Sequence, residues 1–206
     1  MVKFVLWLQE ALINISIALL VALPFSGFFF VDGPPYLYQG LLFNFSFFAV
    51  FLTMIIRPLA DIFEQNWLRN LVILRKGLGI LSASIIVGFA LGKIIDPESA
   101  YLSMMFSSRF FSFTNYAFFA HIGDVSGLIL LLTSNVLSQR LLKRNWKRVQ
   151  RLAYVYFYAG GIYEAFALSN TFAEVALWIV TILTIFAWWI KIYRQKQRAI
   201  TFNQSI

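Results

Sequence analysis

The stretch Arg140–Tyr163, RLLKRNWKRVQRLAYVYFYAGGIY, organises the chain. Its first part carries Arg140, Lys143, Arg144, Lys147, Arg148 and Arg151, and its second part is almost wholly apolar and aromatic. Such a basic run cannot sit in hydrocarbon, and an apolar run of that length is poorly placed in water. The junction near Arg151 therefore marks a membrane surface, and the excess of Lys and Arg assigns its basic side to the cytoplasm.

Working outward, the whole chain has the composition this junction implies. Of its 206 residues 60% are hydrophobic and 13% charged, and the mean hydropathy is +0.75. A soluble domain is nearer half apolar and a quarter charged. The net charge of +8 is then explained by basic residues gathered at one membrane face, not by nucleic acid, which is not expected as a partner. No cysteine is present, which excludes disulfides, iron–sulfur clusters and thiol chemistry. The first apolar run is too long for a signal-peptide core and has no small-residue cleavage motif, so it reads as a retained helix.

Six apolar runs predict an all-α membrane protein: a six-transmembrane-helix bundle in one domain, with both termini cytoplasmic. The runs are Phe4–Phe30, Tyr38–Leu59, Leu71–Ile95, Thr114–Val136, Leu152–Leu168 and Ala173–Ile192. Each is close to the ~20 residues that cross a bilayer. Pro24 is expected to kink the first run near its end, and Arg57-Pro58 to close the second. Asp32-Gly33-Pro34-Pro35, Asp96-Pro97-Glu98 and Ser169-Asn170-Thr171 read as turns. Residues 99–113, rich in Ser and Phe, are expected at the interface. With this threading nearly every Lys and Arg falls on one side, and only Lys93 and Arg109 fall on the other. An inner membrane of bacteria, or an equivalent energy-transducing membrane, suits such a chain.

Several residues then carry a family resemblance. Gly40 opens a long apolar helix that ends in Arg57-Pro58-Leu59-Ala60, and Leu74-Arg75-Lys76 and Leu78-Gly79 follow. Further on come Thr133-Ser134, Gln139-Arg140, Lys143-Arg144, Trp146-Lys147-Arg148 and Tyr154. In order and spacing these resemble the ferric-reductase-like transmembrane domain family. They look most like its haem-bearing membrane subunits from bacterial periplasmic methionine-sulfoxide reductase systems. The resemblance covers about residues 38–192. It implies six helices, b-type haem held by histidines on the third and fifth, and electrons crossing the membrane. Carried over residue by residue, those histidines fall on Phe89, Gln150 and Tyr163, none of which is histidine. The resemblance thus implies a redox scaffold without its ligands, its central space expected to be filled by the Phe89 and Tyr163 rings. Bis-imidazole ligation needs two histidines, and the chain has one. Tyr163 could alternatively ligate a haem as phenolate.

The one histidine, His121, lies in the fourth run with Asp124 one turn on. Ionisable groups inside a membrane face a protein interior or a polar cavity. His121 could ligate a tetrapyrrole or donate to a quinone, with Asp124 orienting the ring. The plainer reading is an interhelical hydrogen bond that fixes packing. Glu164 and Glu174 flank the last outer turn and are expected to be solvated ends, a proton or cation path being the alternative. Gly88, Gly92, Gly160 and Gly161 would let helices approach closely. The basic loop reads as a topology anchor that attracts anionic lipid, or as a docking site for an acidic partner. There is no Ser–His–Asp set, phosphate loop or metal-ligand cluster in the sequence. The function expected is therefore that of a non-catalytic, haem-less accessory subunit whose partners are other membrane subunits and the bilayer. The alternative is a cofactor-carrying redox subunit holding haem, another tetrapyrrole or quinone through His121 or a partner chain. A transporter is disfavoured, since no broken-helix pair repeats between the halves.

Overall fold

The computed structural model describes residues 2–26, 35–95, 103, 106–107, 111–112 and 116–204, with side chains described for all of these except 35–39, 136 and 198–204. The expected turns at 32–34 and 96–98, Arg109 and most of the expected interfacial segment lie outside them. Every regular element among the described residues is helical: α1 (Val2–Ala22), α2 (Pro35–Phe63), α3 (Asn66–Leu71), α4 (Leu74–Ile95), α5 (Ala117–Thr133), α6 (Val136–Leu142), α7 (Trp146–Val149), α8 (Leu152–Ile162) and α9 (Thr171–Gln204). Among the described residues, four stretches are long and apolar enough to cross a membrane by themselves: Val2–Phe25, Gly40–Phe63, Asn66–Ile95 and Thr171–Gln197. The chain is an integral membrane protein. A fifth span arises if α5 is joined to Leu137–Val149 across a 92° bend. α8 continues through a π-helical turn, Tyr163–Ala167, and together these reach only about 24 Å.

The packing registers show how the helices run. Gly77 and Gly88 of α4 lie against Leu12 of α1 and Leu23 just beyond its end, so α1 and α4 are parallel. Phe43 of α2 stacks on Phe89 while Thr53, ten residues on, meets Arg75, so α2 and α4 are antiparallel. Gly123 approaches Gly160 and Gly127 approaches Tyr156, making α5 and α8 antiparallel. Gly161 faces Leu177 and Tyr158 bonds Thr181 at 2.9 Å, so α8 and α9 are antiparallel too. α4 packs on α1, α2 and α5, and α8 packs on α5, α9 and α2. The main core cluster, with Phe47, Met54, Phe157 and Val180 at its centre, lies where α2, α8 and α9 meet. The outward faces of α1 and α9, including Trp7, Ile17, Trp178 and Ile182, are exposed and apolar, as lipid contact requires.

Two local features differ from expectation. Pro58 does not close α2, which runs on to Phe63. A proline there removes one backbone donor, and the neighbouring carbonyl of Thr53 accepts Arg75 Nε at 2.8 Å. The helix ends instead at Glu64, where φ is 52°. There Arg194 of α9 donates to the Asp61 and Ile62 carbonyls, both at 2.9 Å, and to Glu64 Oε1 at 2.7 Å. A cation on the exposed carbonyls at a helix C-terminus is favourable. The third run does not begin as one helix at Leu71: the short α3 and a break at 72–73 precede α4. At Pro24, where the sequence predicts a kink, α1 passes into a 3₁₀ turn, Leu23–Phe25, and Pro24 lies against Gly92. Ser169 turns the chain, with φ 53°, into α9, as the expected tight turn requires.

Candidate functional site

A cavity of about 530 Å³ lies between α2, α4, α5 and α8. It is bounded by residues from 40–50, 86–93, 117–124 and 156–168. These are the halves of the four helices remote from the basic loop, so the cavity occupies that half of the bundle. Small residues make its room. A Cβ added at Gly40 or Gly160 would meet nothing within 4 Å. Ala90, Ala117, Ala120 and Gly123 contribute further short walls. Phe43, Phe47, Phe89, Tyr156 and Tyr163 supply aromatic surface.

Phe89 and Tyr163 both line this cavity, so the structure brings together two of the three positions singled out by resemblance. Their rings do not fill the space, contrary to expectation. Phe89 stacks on Phe43 with ring centres 4.9 Å apart, which draws it toward α2. Phe47 is likewise held aside by its stack on Phe157 at 5.6 Å. Gln150, the third position, follows α7 and precedes α8 at the basic end, outside the cavity wall.

His121 and Asp124 are separated by function of place. Asp124 is in the wall and His121 is not. The His121 ring, half-buried, meets Phe111 edge-on at 6.0 Å. Helical geometry explains the split, because Ala117, Ala120, Gly123 and Asp124 share the face toward the cavity while His121 lies at its edge.

Glu164 is not a solvated end. It is buried, with 9% of its surface exposed, and lines the cavity. Asn170 donates to Glu164 Oε2 at 3.2 Å and to Asn44 Oδ1 at 2.9 Å, while its own Oδ1 accepts the amides of Phe172 and Ala173. One side chain therefore caps α9 and ties α2, the π turn and α9 together. Glu174 is exposed, as expected.

A buried hydroxyl ladder, unmarked in the sequence pattern, joins three of the helices. Ser46 donates to the Ser82 carbonyl at 3.1 Å and lies 2.9 Å from Ser82 Oγ, which is 2.8 Å from the Tyr156 hydroxyl. It joins α2, α4 and α8 and ends at the cavity wall, where Ser46 and Tyr156 lie. A helical Ser usually satisfies itself on its own backbone, so nothing local marked these.

Among the described residues, the polar side chains of the wall are Ser46, Lys93, Asp124, Tyr156, Tyr163 and Glu164. They supply hydroxyls, carboxylates and an amine, with no imidazole or thioether among them. A bis-imidazole haem does not fit this donor set. Among the described residues no group of three or more His, Asp or Glu side chains is placed to hold a metal ion.

No family model matches the chain, and no solved structure matches it. The sequence is 28% identical over 140 residues to the protein-methionine-sulfoxide reductase heme-binding subunit MsrQ of Rhizobium meliloti (strain 1021). The match takes in 66% of this chain and 60% of the relative, less than two thirds of that protein's length. The chain is a helical membrane protein similar to the heme-binding subunit of a methionine-sulfoxide reductase.

Proposed function

We propose that this chain is an accessory membrane subunit of a larger complex, built on a haem-bearing scaffold but carrying no bis-histidine haem and catalysing nothing alone. The observation that carries the reading is the cavity wall. Phe89 and Tyr163, the positions on which the family resemblance places haem ligands, face one cavity and offer a phenyl ring and a phenol. The similarity to a heme-binding subunit of a redox system supports membership of a membrane complex. We also propose six membrane passes with both termini cytoplasmic, in a bacterial inner membrane or an equivalent. The alternating registers of α1, α2, α4, α5, α8 and α9 support it, as does the clustering of Lys and Arg at one end.

The second reading is a cofactor-carrying subunit in transmembrane electron transfer, and the cavity itself favours it. At about 530 Å³ it falls within the range of small-molecule sites. His121, at the edge of the wall one turn before Asp124, or a partner chain would then hold a tetrapyrrole or quinone.

Visible absorption separates the two. The isolated wild-type chain is expected to show little or no Soret band. Phe89→His/Tyr163→His, grown with haem supplied, is expected to acquire a low-spin bis-imidazole spectrum. Mild detergent should retain the wild type in a larger particle. A strong bis-imidazole spectrum from the isolated wild type refutes the first reading.

A further inference from the structure

The basic segment that follows α5 is built as a corner. α5 and Leu137–Val149 meet at 92°. Four hydrogen bonds hold the turn. Asn135 Oδ1 accepts the Ser138 amide at 2.6 Å, and Asn135 Nδ2 donates to the Leu132 carbonyl at 2.8 Å. Ser138 Oγ donates to the same carbonyl at 2.9 Å. Trp146 Nε1 then reaches back to the Thr133 carbonyl at 3.0 Å. These bonds occupy carbonyls at the C-terminus of α5 that no further helical turn can satisfy, so the corner is a fixed part of the fold.

α5 runs with the bundle axis, so a segment at 92° to it runs along the membrane surface. Its surface is divided to match. Leu137 and Leu141, four residues apart on one helical face, are 66% and 73% exposed. Arg140, Lys143, Arg144, Lys147, Arg148 and Arg151 are exposed around them. No Asp or Glu occurs from residue 125 to residue 163, so nothing within the segment neutralises this charge. Exposed leucines on a short helix that leads into a strongly basic 3₁₀ turn, Lys143–Asn145, and α7 suit the boundary between acyl chains and anionic headgroups. A soluble acidic protein would match the charge but would leave both leucines in water.

We propose that α6 and α7 form an in-plane amphipathic element that docks on anionic phospholipid. Leu137 and Leu141 enter the acyl boundary, Trp146 pins the element to the end of α5, and the basic side chains gather phosphate-bearing headgroups around this edge of the bundle.

The absence of cysteine allows a clean test in the whole chain. Leu141→Cys is labelled with an environment-sensitive nitrobenzoxadiazole dye and reconstituted into vesicles of phosphatidylcholine alone or mixed with phosphatidylglycerol. In the mixed vesicles the label should emit to the blue and resist quenching by aqueous iodide. Separately, spin-labelled phosphatidylglycerol should associate with the wild type about tenfold more than spin-labelled phosphatidylcholine, at the scale expected for several juxtamembrane cations. That preference should shrink in high salt. It should vanish in the variant with Arg140, Lys143, Arg144, Lys147 and Arg148 all replaced by Gln. A label open to iodide in both vesicles overturns the proposal. So does a lipid preference in the wild type that salt leaves unchanged, a measurement that does not depend on the variant folding. Binding of a soluble acidic protein while the label stays in water would assign the surface to a protein and overturn it equally.

Discussion

Gly160 and Gly161 are neighbours on α8, and adding one methyl to each should have opposite effects. At Gly160 the new Cβ would meet nothing within 4 Å, because it points into the cavity. At Gly161 it would lie 2.7 Å from Leu177 Cδ2, 3.1 Å from Leu177 Cγ and 3.2 Å from Phe47 Cε2. Leu177 cannot simply rotate away, since its Cγ as well as its methyl is too close. Phe47 is held by its stack on Phe157 and its edge contact with Phe172 at 6.1 Å. Both substitutions remove a helical glycine, which favours the folded state by roughly 0.5–1 kcal/mol. That term is common to the two variants and cancels in their difference. What remains is the overpacking at Gly161, which typically costs about 1–3 kcal/mol. Gly160→Ala should therefore be neutral or slightly stabilising, and Gly161→Ala less stable than Gly160→Ala by about 1–3 kcal/mol. Unfolding in mixed micelles with increasing dodecyl sulfate, followed by circular dichroism, measures the difference. Equal midpoints, or Gly160→Ala unfolding first, would refute the packing described for α2, α8 and α9.

Two further outcomes follow from other parts of the molecule. Ser82→Ala should destabilise the protein by roughly 1–3 kcal/mol, because it takes the Ser82 hydroxyl from the buried Tyr156 hydroxyl, Ser46 keeping the Ser82 carbonyl, whereas Ser26→Ala, which removes only a local bond to the Leu23 carbonyl, should cost much less; similar losses in the same micelle assay would count against the ladder. An Asn145→Cys variant should react with an impermeant thiol reagent only from the cytoplasmic side, and labelling from the opposite side would overturn the proposed topology.

The class of the protein, an all-helical membrane chain, was legible in the sequence alone. Apolar length and clustered Lys and Arg act on lipid and water one segment at a time, so they can be read without knowing which helices touch. The tight turn at Ser169–Thr171, the change of helix at Pro24 and the close approaches at Gly88, Gly92 and Gly161 were legible for the same reason, being local chemistry. Tertiary structure decided the site. Phe89 leaves the centre because Phe43 on another helix offers it a stacking face, and that opens the cavity. Glu164 is buried because a π turn and Asn170 carry it inward. Asp124 enters the wall and His121 does not, because the face of α5 turned to the cavity is chosen by α4 and α8. The hydroxyl ladder and the hold of Arg194 on α2 join residues far apart in the chain. A linear pattern records which side chains are present on a helix, whereas burial, pairing and empty volume depend on which faces meet.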